Sequence, residues 1–428
     1  MSNSAEIIPL RHPVQARTTV PSSKSITNRA MVAAALADGV TTLHGASDAN
    51  DSLIMAGLLR TLGIEIETIG NRLAIKGNCG KFKPFSGTLN AHDAGTVMRF
   101  LCALCCMVPG EIIFEGSDRM QQRPIGGLTE ALRHLGAEIT YLKKEGFPPL
   151  KINGGKIKGG KTRLNASQSS QFVSALLMIA PLLEGSSEII CDGEIASPPY
   201  IKMTLSVLES FGIIIRDISK GHYLIEGNRH YAPAEYFVEG DASSASYLFA
   251  VAALTGSTVE VTNLPPLSLQ SDSAFAGLLA GMGCRVSKDK TITVTGCDTL
   301  KPITADLSAM PDIAQTLAVV AAFAEGESIL TGLKTLQFKE TERITALKNE
   351  LGKMGIACEA TADSLRIKGG KPAGAQIQTY GDHRMAMAFA VAGTKIPGVF
   401  IQDPGVVKKS FPRFWNVLSE MGITVKFT

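Results

Sequence analysis

The sequence predicts an α/β (α+β) fold made of six copies of one unit, three in each of two similar domains. Two glycine markers and the order of elements between them lead to this. An apolar residue, a glycine and a β-type run recur at Leu62-Gly63, Leu135-Gly136, Phe211-Gly212, Met282-Gly283, Met354-Gly355 and Met421-Gly422, spaced by 73, 76, 71, 72 and 67 residues. A second set, Gly39, Gly110, Gly185, Gly256, Gly326 and Gly398, keeps the same beat at 71, 75, 71, 70 and 72 residues. Two markers in phase indicate a repeat of about 70 residues. Between them, helix-like and strand-like stretches alternate in the order helix, strand, helix, two strands, which places helices on sheets.

Each element has a local reason. The first-marker glycines end helix-like stretches, Met55–Leu62, Leu128–Leu135, Thr204–Phe211, Ala274–Met282, Ile344–Met354 and Phe414–Met421, as left-handed C-caps do. Alternating runs such as Ile64-Glu65-Ile66-Glu67 and Ile423-Thr424-Val425-Lys426 follow as strands. Each second-marker glycine follows an apolar helix and precedes a strand such as Ser257–Val261. Polar, capping and small residues open those apolar helices: Ser23-Lys24-Ser25, Asp93–Thr96, Gln168–Gln171, Asp241–Ser244, Met310–Asp312 and Gly381–Arg384. Between units three and four the pattern places a boundary at Ala232-Pro233-Ala234-Glu235, ahead of a strand leading into unit four.

Composition narrows the class. A chain of 428 residues with 45% apolar and 19% charged residues fits a multidomain globular enzyme. A formal charge of +3 gives no nucleic-acid footprint. No apolar run reaches membrane-spanning length, and the N-terminus shows no signal-peptide pattern. The eight cysteines lie mostly in apolar contexts, and Cys102, Cys105 and Cys106 are expected as buried thiols in a reducing, cytoplasmic protein.

The chemistry gathers at helix starts. In Pro21-Ser22-Ser23-Lys24-Ser25 a capping serine, free backbone N–H groups and a cation come together, a natural anion site, although solvated cations on a capped surface helix would look the same. Arg29 follows in the first turns of the same helix, and Arg99, Arg123, Lys339, Arg343, Arg384 and Lys409 lie near the other starts or in neighbouring loops. They suit two small, multiply charged ligands. Asp312 and Glu340, set among these cations, are expected to be ionised and able to accept a proton. There is no nucleotide P-loop, zinc motif or nucleophile elbow.

Six ordered segments resemble the 5-enolpyruvylshikimate-3-phosphate synthases, the enolpyruvyl transferases of the shikimate pathway. They are Ala94–Arg99, Arg119–Ile125, Ser169–Phe172, Glu239–Ala245, Lys339–Arg343 and Asp382–Met387, and the resemblance extends from Ser23 to Pro412. It implies pseudo-threefold domains, residues 22–239 in one and 1–21 with 240–428 in the other, with the active site in a cleft that closes on substrate. Shikimate 3-phosphate would meet Lys24, Ser25, Arg29, Ser169, Ser170, Gln171, Ser197, Tyr200, Asp312, Thr335 and Lys339. Phosphoenolpyruvate would meet Lys24, Gly95, Arg123, Gln171, Arg343, Arg384 and Lys409. Asp312, Glu340 and Lys24 would be catalytic, and no cofactor or metal is expected. The small-molecule substrates would be the partners of a monomer that binds neither nucleic acid nor membrane. The chain departs from the family pattern at Asp93, Phe100, Thr335 and Gly381, and Asp93 is read as the cap of its helix. A sister enzyme acting on a UDP-amino sugar would share the repeats but generally uses a loop cysteine, and residues 116–124 contain none. A non-catalytic anion-binding repeat protein would leave Asp312 and Glu340 without a role.

Overall fold

The computed structural model describes residues 4–428. It divides into two compact units, one of residues 22–238 and one of residues 1–21 with 239–428. Among the described residues each unit contains three four-stranded sheets of one topology. In each, two parallel strands lie beside an antiparallel pair. In the sheet of the second repeat, Gly87–Asn90 runs parallel to Gly110–Glu115, which pairs antiparallel with Leu150–Gly154, and that strand with Glu138–Tyr141. The repeat therefore has one strand more than the sequence pattern indicates, a short leading strand ahead of the first helix.

Two leading strands are exchanged along the chain. Gln15–Thr18 pairs parallel with Thr258–Val261, and Glu235–Phe237 pairs parallel with Val40–His44. This corrects the boundary expected at Ala232–Glu235. The strand that follows it completes the first sheet, so the division falls at Val238/Glu239. Ser4–Ile7 lies between Val399–Gln402 and Val425–Phe427, antiparallel to both, and completes the sixth sheet.

Both glycine markers have a physical cause. All twelve glycines have positive φ. At the first marker the same closure recurs six times. Gly63 N–H donates to the Arg60 carbonyl and Ile64 N–H to Leu59, and the pairs at Gly136, Gly212, Gly283, Gly355 and Gly422 repeat it. This is the Schellman closure, and the residue after each glycine (Ile64, Ala137, Ile213, Cys284, Ile356, Ile423) is buried against its helix. At Gly110, φ is +124° and a Cβ would lie 2.2 Å from the Phe85 carbonyl oxygen, so no other residue fits.

The first helix of each repeat forms the core of its unit. Lys24–Leu36, Gly95–Cys105 and Gln171–Ile179 serve one unit; Ala242–Thr255, Ala314–Ala321 and His383–Gly393 serve the other. They are apolar nearly all round, as central helices must be. Residues 242–254 are all buried. Cys102 and Cys105 on the second of these helices and Cys106 at its C-cap are buried free thiols, and burial pushes Cys102 up to about 12. This arrangement fixes where each helix begins, and the candidate chemistry sits at those beginnings.

Candidate active site

In the unit of residues 22–238, the Ser23 hydroxyl accepts the Ile26 N–H and starts the helix that carries Lys24, Ser25 and Arg29. The Lys24 ammonium donates to Asp51 Oδ2 at 3.0 Å, and both side chains are largely buried. Asp51 stands in the first turn of Asn50–Thr61 and escaped the sequence analysis. Arg29 lies deeper, only 1% exposed. Its Nε donates to Thr204 Oγ1 at 2.7 Å and its terminal nitrogens to the carbonyls of Ser25 and Tyr200 at 2.9 and 3.2 Å. The Phe100 ring lies 5.2 Å below this guanidinium, which gives that family departure a role as a cation–π partner. Burial, the dominant influence, lowers Arg29 to about 10, with Tyr200 opposing. Arg29 is thus committed first to holding the strand-to-helix turn of Ser197 and Tyr200. Ser197 there has φ of +47°, unusual for a residue with a side chain.

Gly95 and Arg123 form a second pair in this unit. The Arg123 guanidinium packs over Gly95 so closely that a Cβ would lie 2.7 Å from one terminal nitrogen. Arg99 holds the Arg123 loop from below, donating to the Pro124 carbonyl at 2.7 Å. Asp93 is not the cap it was expected to be. The N-cap position is Ala94, and Asp93 accepts the Ser117 hydroxyl instead. Ser169 Oγ accepts the Gln171 N–H at 3.2 Å, with Ser170 at the N-cap position and Gln171 opening the third helix.

In the other unit, three carboxylates and four cations interlock. Arg343, 1% exposed, donates to Asp382 through Nε at 2.7 Å, to Glu340 at 2.8 Å and to Asp312 at 3.2 Å. Arg384 donates to Asp312 Oδ2 at 2.8 Å, Lys339 reaches Asp312 Oδ1 at 3.2 Å, and Lys409 lies 3.4 Å from Glu340. Asp382 also accepts the Arg384 backbone N–H at 2.8 Å and caps the helix, so one side chain orders both arginines. Burial alone would push the Asp312 carboxyl up, but Arg384, Lys339 and Arg343 outweigh it and hold it well below the usual range. The Thr335 hydroxyl, in the turn Lys334–Phe338, is buried and makes no hydrogen bond within the protein.

The structure thus brings Asp312, Glu340, Lys339, Arg343, Arg384 and Lys409 into one cluster. Separately, it joins Ser25, Arg29 and Tyr200, and pairs Gly95 with Arg123. It also supplies counter-charges the sequence analysis missed, Asp51 and Asp382. Lys339, Arg343, Arg384 and Lys409 face Asp312, Glu340 and Asp382, so counting Asp382 lowers the excess of positive charge from two to one. The signal for Asp382 was its place as a helix cap; its partner Arg343 is 39 residues away.

Converging cations, an ionised buried carboxylate and a second carboxylate nearby are the equipment of an enzyme that binds small polyanions and moves protons at them. A family model of EPSP synthase (3-phosphoshikimate 1-carboxyvinyltransferase) matches residues 9–418. A 3-phosphoshikimate 1-carboxyvinyltransferase of Shewanella amazonensis is 41% identical over 93% of this chain and 94% of its own length. One from a Sulfurovum species is 40% identical over 98% of this chain and 99% of its own. Among solved structures, EPSP synthase of Acinetobacter baumannii superposes with a TM-score of 0.84 at 26% identity, over 99% of both chains. The chain belongs to the EPSP synthase family. It is a transferase of aromatic amino acid biosynthesis with 3-phosphoshikimate 1-carboxyvinyltransferase activity. No helix among the described residues is long and apolar enough to cross a membrane.

Proposed function

We propose that these residues serve the transfer of the enolpyruvyl group of phosphoenolpyruvate to the 5-hydroxyl of shikimate 3-phosphate. The observation that supports this most strongly is Arg343 buried among Asp312, Glu340 and Asp382, with Arg384 on the same Asp312. Lys24, Ser25, Ser169, Ser170, Gln171, Ser197, Tyr200, Thr335 and Lys339 receive the sugar phosphate, with Arg29 setting the Ser25 and Tyr200 geometry. Lys24, Gly95, Arg123, Gln171, Arg343, Arg384 and Lys409 receive phosphoenolpyruvate.

Asp312 takes the proton of the 5-hydroxyl as that oxygen attacks C2 of phosphoenolpyruvate, while Glu340 or Lys24 protonates C3. Loss of phosphate from the tetrahedral ketal and of a proton from C3 then gives the enol ether. Without substrate, Asp312 is a poor base, because its oxygens are held by Arg384, Arg343 and Lys339. An incoming anion competes for those cations, and the carboxylate regains basicity as they turn toward the ligand. Substrate binding and base activation are then one event.

The enzyme works as a cytoplasmic monomer. Small-angle scattering should give the mass of one chain, and the mass of two would refute the monomer. The reaction itself is tested by phosphate release, which should require both substrates. Release with phosphoenolpyruvate alone, or none with both, would overturn the proposal.

A further inference from the structure

We propose that Asp272 is a positioning residue for Arg384, acting on it through the Ser243 hydroxyl; this rests on the reading of Arg384 as a phosphoenolpyruvate ligand. Asp272 is 3% exposed, in the turn Ser271–Ala274 ahead of the helix Phe275–Gly281. Its Oδ2 accepts the hydroxyl of Ser243, the second residue of Ala242–Thr255. Ser243 Oγ in turn accepts an Arg384 terminal N–H at 3.4 Å, from the same nitrogen that donates to Asp312 at 2.8 Å. Arg384 therefore stands between two carboxylates, Asp312 directly and Asp272 at one remove.

The turn is anchored so that this relay keeps its place. The Gln270 amide donates to Glu239 at 2.8 Å and to the Gly240 carbonyl at 2.7 Å, and its oxygen accepts the Ala242 N–H at 3.1 Å. Ser271 Oγ donates to the Ala309 carbonyl at 2.8 Å. Asp272 Oδ1, by contrast, is buried with no hydrogen-bond partner. A charged carboxylate with one oxygen so placed is costly, and the neutral acid less so.

Burial above all, and then the Asp312 charge, push the Asp272 carboxyl up to about 7, with Arg384 and the Ser243 hydroxyl opposing. The charged neighbours are few: Asp241 at the helix cap, Asp312 from the turn Pro311–Ile313 and Arg384 from His383–Gly393, with Glu239 tied to Gln270. The helix Phe275–Gly281 has no charged residue. When Asp272 is neutral, Arg384 answers to Asp312 alone and its field is open to a substrate anion. When Asp272 is charged, a second counter-charge draws on Arg384 and anion binding weakens. A purely structural tie between turn and helix would have no such dependence.

The test measures kcat and KM for phosphoenolpyruvate from about pH 6 to about pH 8.5 in the wild type, Asp272→Asn, Ser243→Ala and Arg384→Lys. Taking wild-type-to-variant KM ratios at each pH cancels the ionisation of the substrate itself. The ratio of wild type to Asp272→Asn should rise roughly three- to tenfold across that range, the influence of one charge at a part-buried site, while the kcat ratio stays level. Ser243→Ala, which breaks the relay and leaves the carboxyl, should flatten the KM limb in the same way, and it carries the comparison if Asp272→Asn fails to fold. A KM ratio independent of pH in whichever of these variants folds, while Arg384→Lys raises KM, overturns the inference alone. An unchanged KM in Arg384→Lys overturns it together with the reading of Arg384.

Discussion

Asp382→Asn separates the ordering of the arginines from the acid–base chemistry. Asp382 is fully buried and accepts three N–H groups, two from Arg343 and one from the Arg384 backbone. Removing one partner of a buried ion pair costs about 3–5 kcal/mol. Arg343 keeps Asp312 and Glu340, which reduces the loss to about 2–3 kcal/mol. Asparagine still caps the helix, so the cap is kept; Asp382→Ala forfeits it for about 1 kcal/mol more. For a unit of this size, about 2–3 kcal/mol lowers Tm by about 4–12 °C. Calorimetry should show that fall. KM for phosphoenolpyruvate should rise, because Arg343 and Arg384 lose a common anchor. A Tm within about 2 °C of wild type would show that Asp382 is not what neutralises Arg343, and the account of the cluster would fail.

Two further outcomes follow from the same geometry. Gly95→Ala puts a methyl group against the Arg123 guanidinium, the far end of a flexible side chain. Tm should hardly change while KM for phosphoenolpyruvate rises about tenfold, the cost of one misplaced charge-assisted hydrogen bond; an unchanged KM would remove Arg123 from that subsite. Stability should also carry the mark of Asp272, whose folded carboxyl sits near 7, above its unfolded value. Between about pH 4 and about pH 7 the folded state therefore binds more protons, so this residue's contribution is present at the acid end and lost as pH rises. Relative to wild type, Asp272→Asn should gain stability between those limits, and a difference in Tm that does not vary with pH would contradict the assignment.

The repeat architecture was legible because its markers are stereochemical necessities. A Schellman closure needs a left-handed residue, so Gly63 and its five counterparts kept their spacing while the side chains around them changed. The leading strands were not legible. Gln376–Ile377 and Thr304–Asp306 are too short for an alternating pattern, and Glu235–Phe237 pairs with a strand nearly two hundred residues earlier. The site shows the same division. Asp312 and Glu340 stood out as acids among cations, whereas Asp51 and Asp272 lie at the starts of second helices, away from the repeated first-helix starts. Their partners Lys24 and Ser243 are 27 and 29 residues away, and no local pattern joins them. Counting cations without these carboxylates overstated the positive field.

Asp312 is the residue on which the proposed chemistry turns. The most direct measurement compares turnover and shikimate 3-phosphate affinity in Asp312→Asn against wild type, by phosphate release and by calorimetric titration. Turnover should fall about 10²–10⁴-fold, the range for loss of a general base, while shikimate 3-phosphate still binds within about tenfold of wild type, as expected if Asp312 supplies at most one hydrogen bond to it. Near-normal turnover in a folded variant would contradict the assignment of Asp312 as the base.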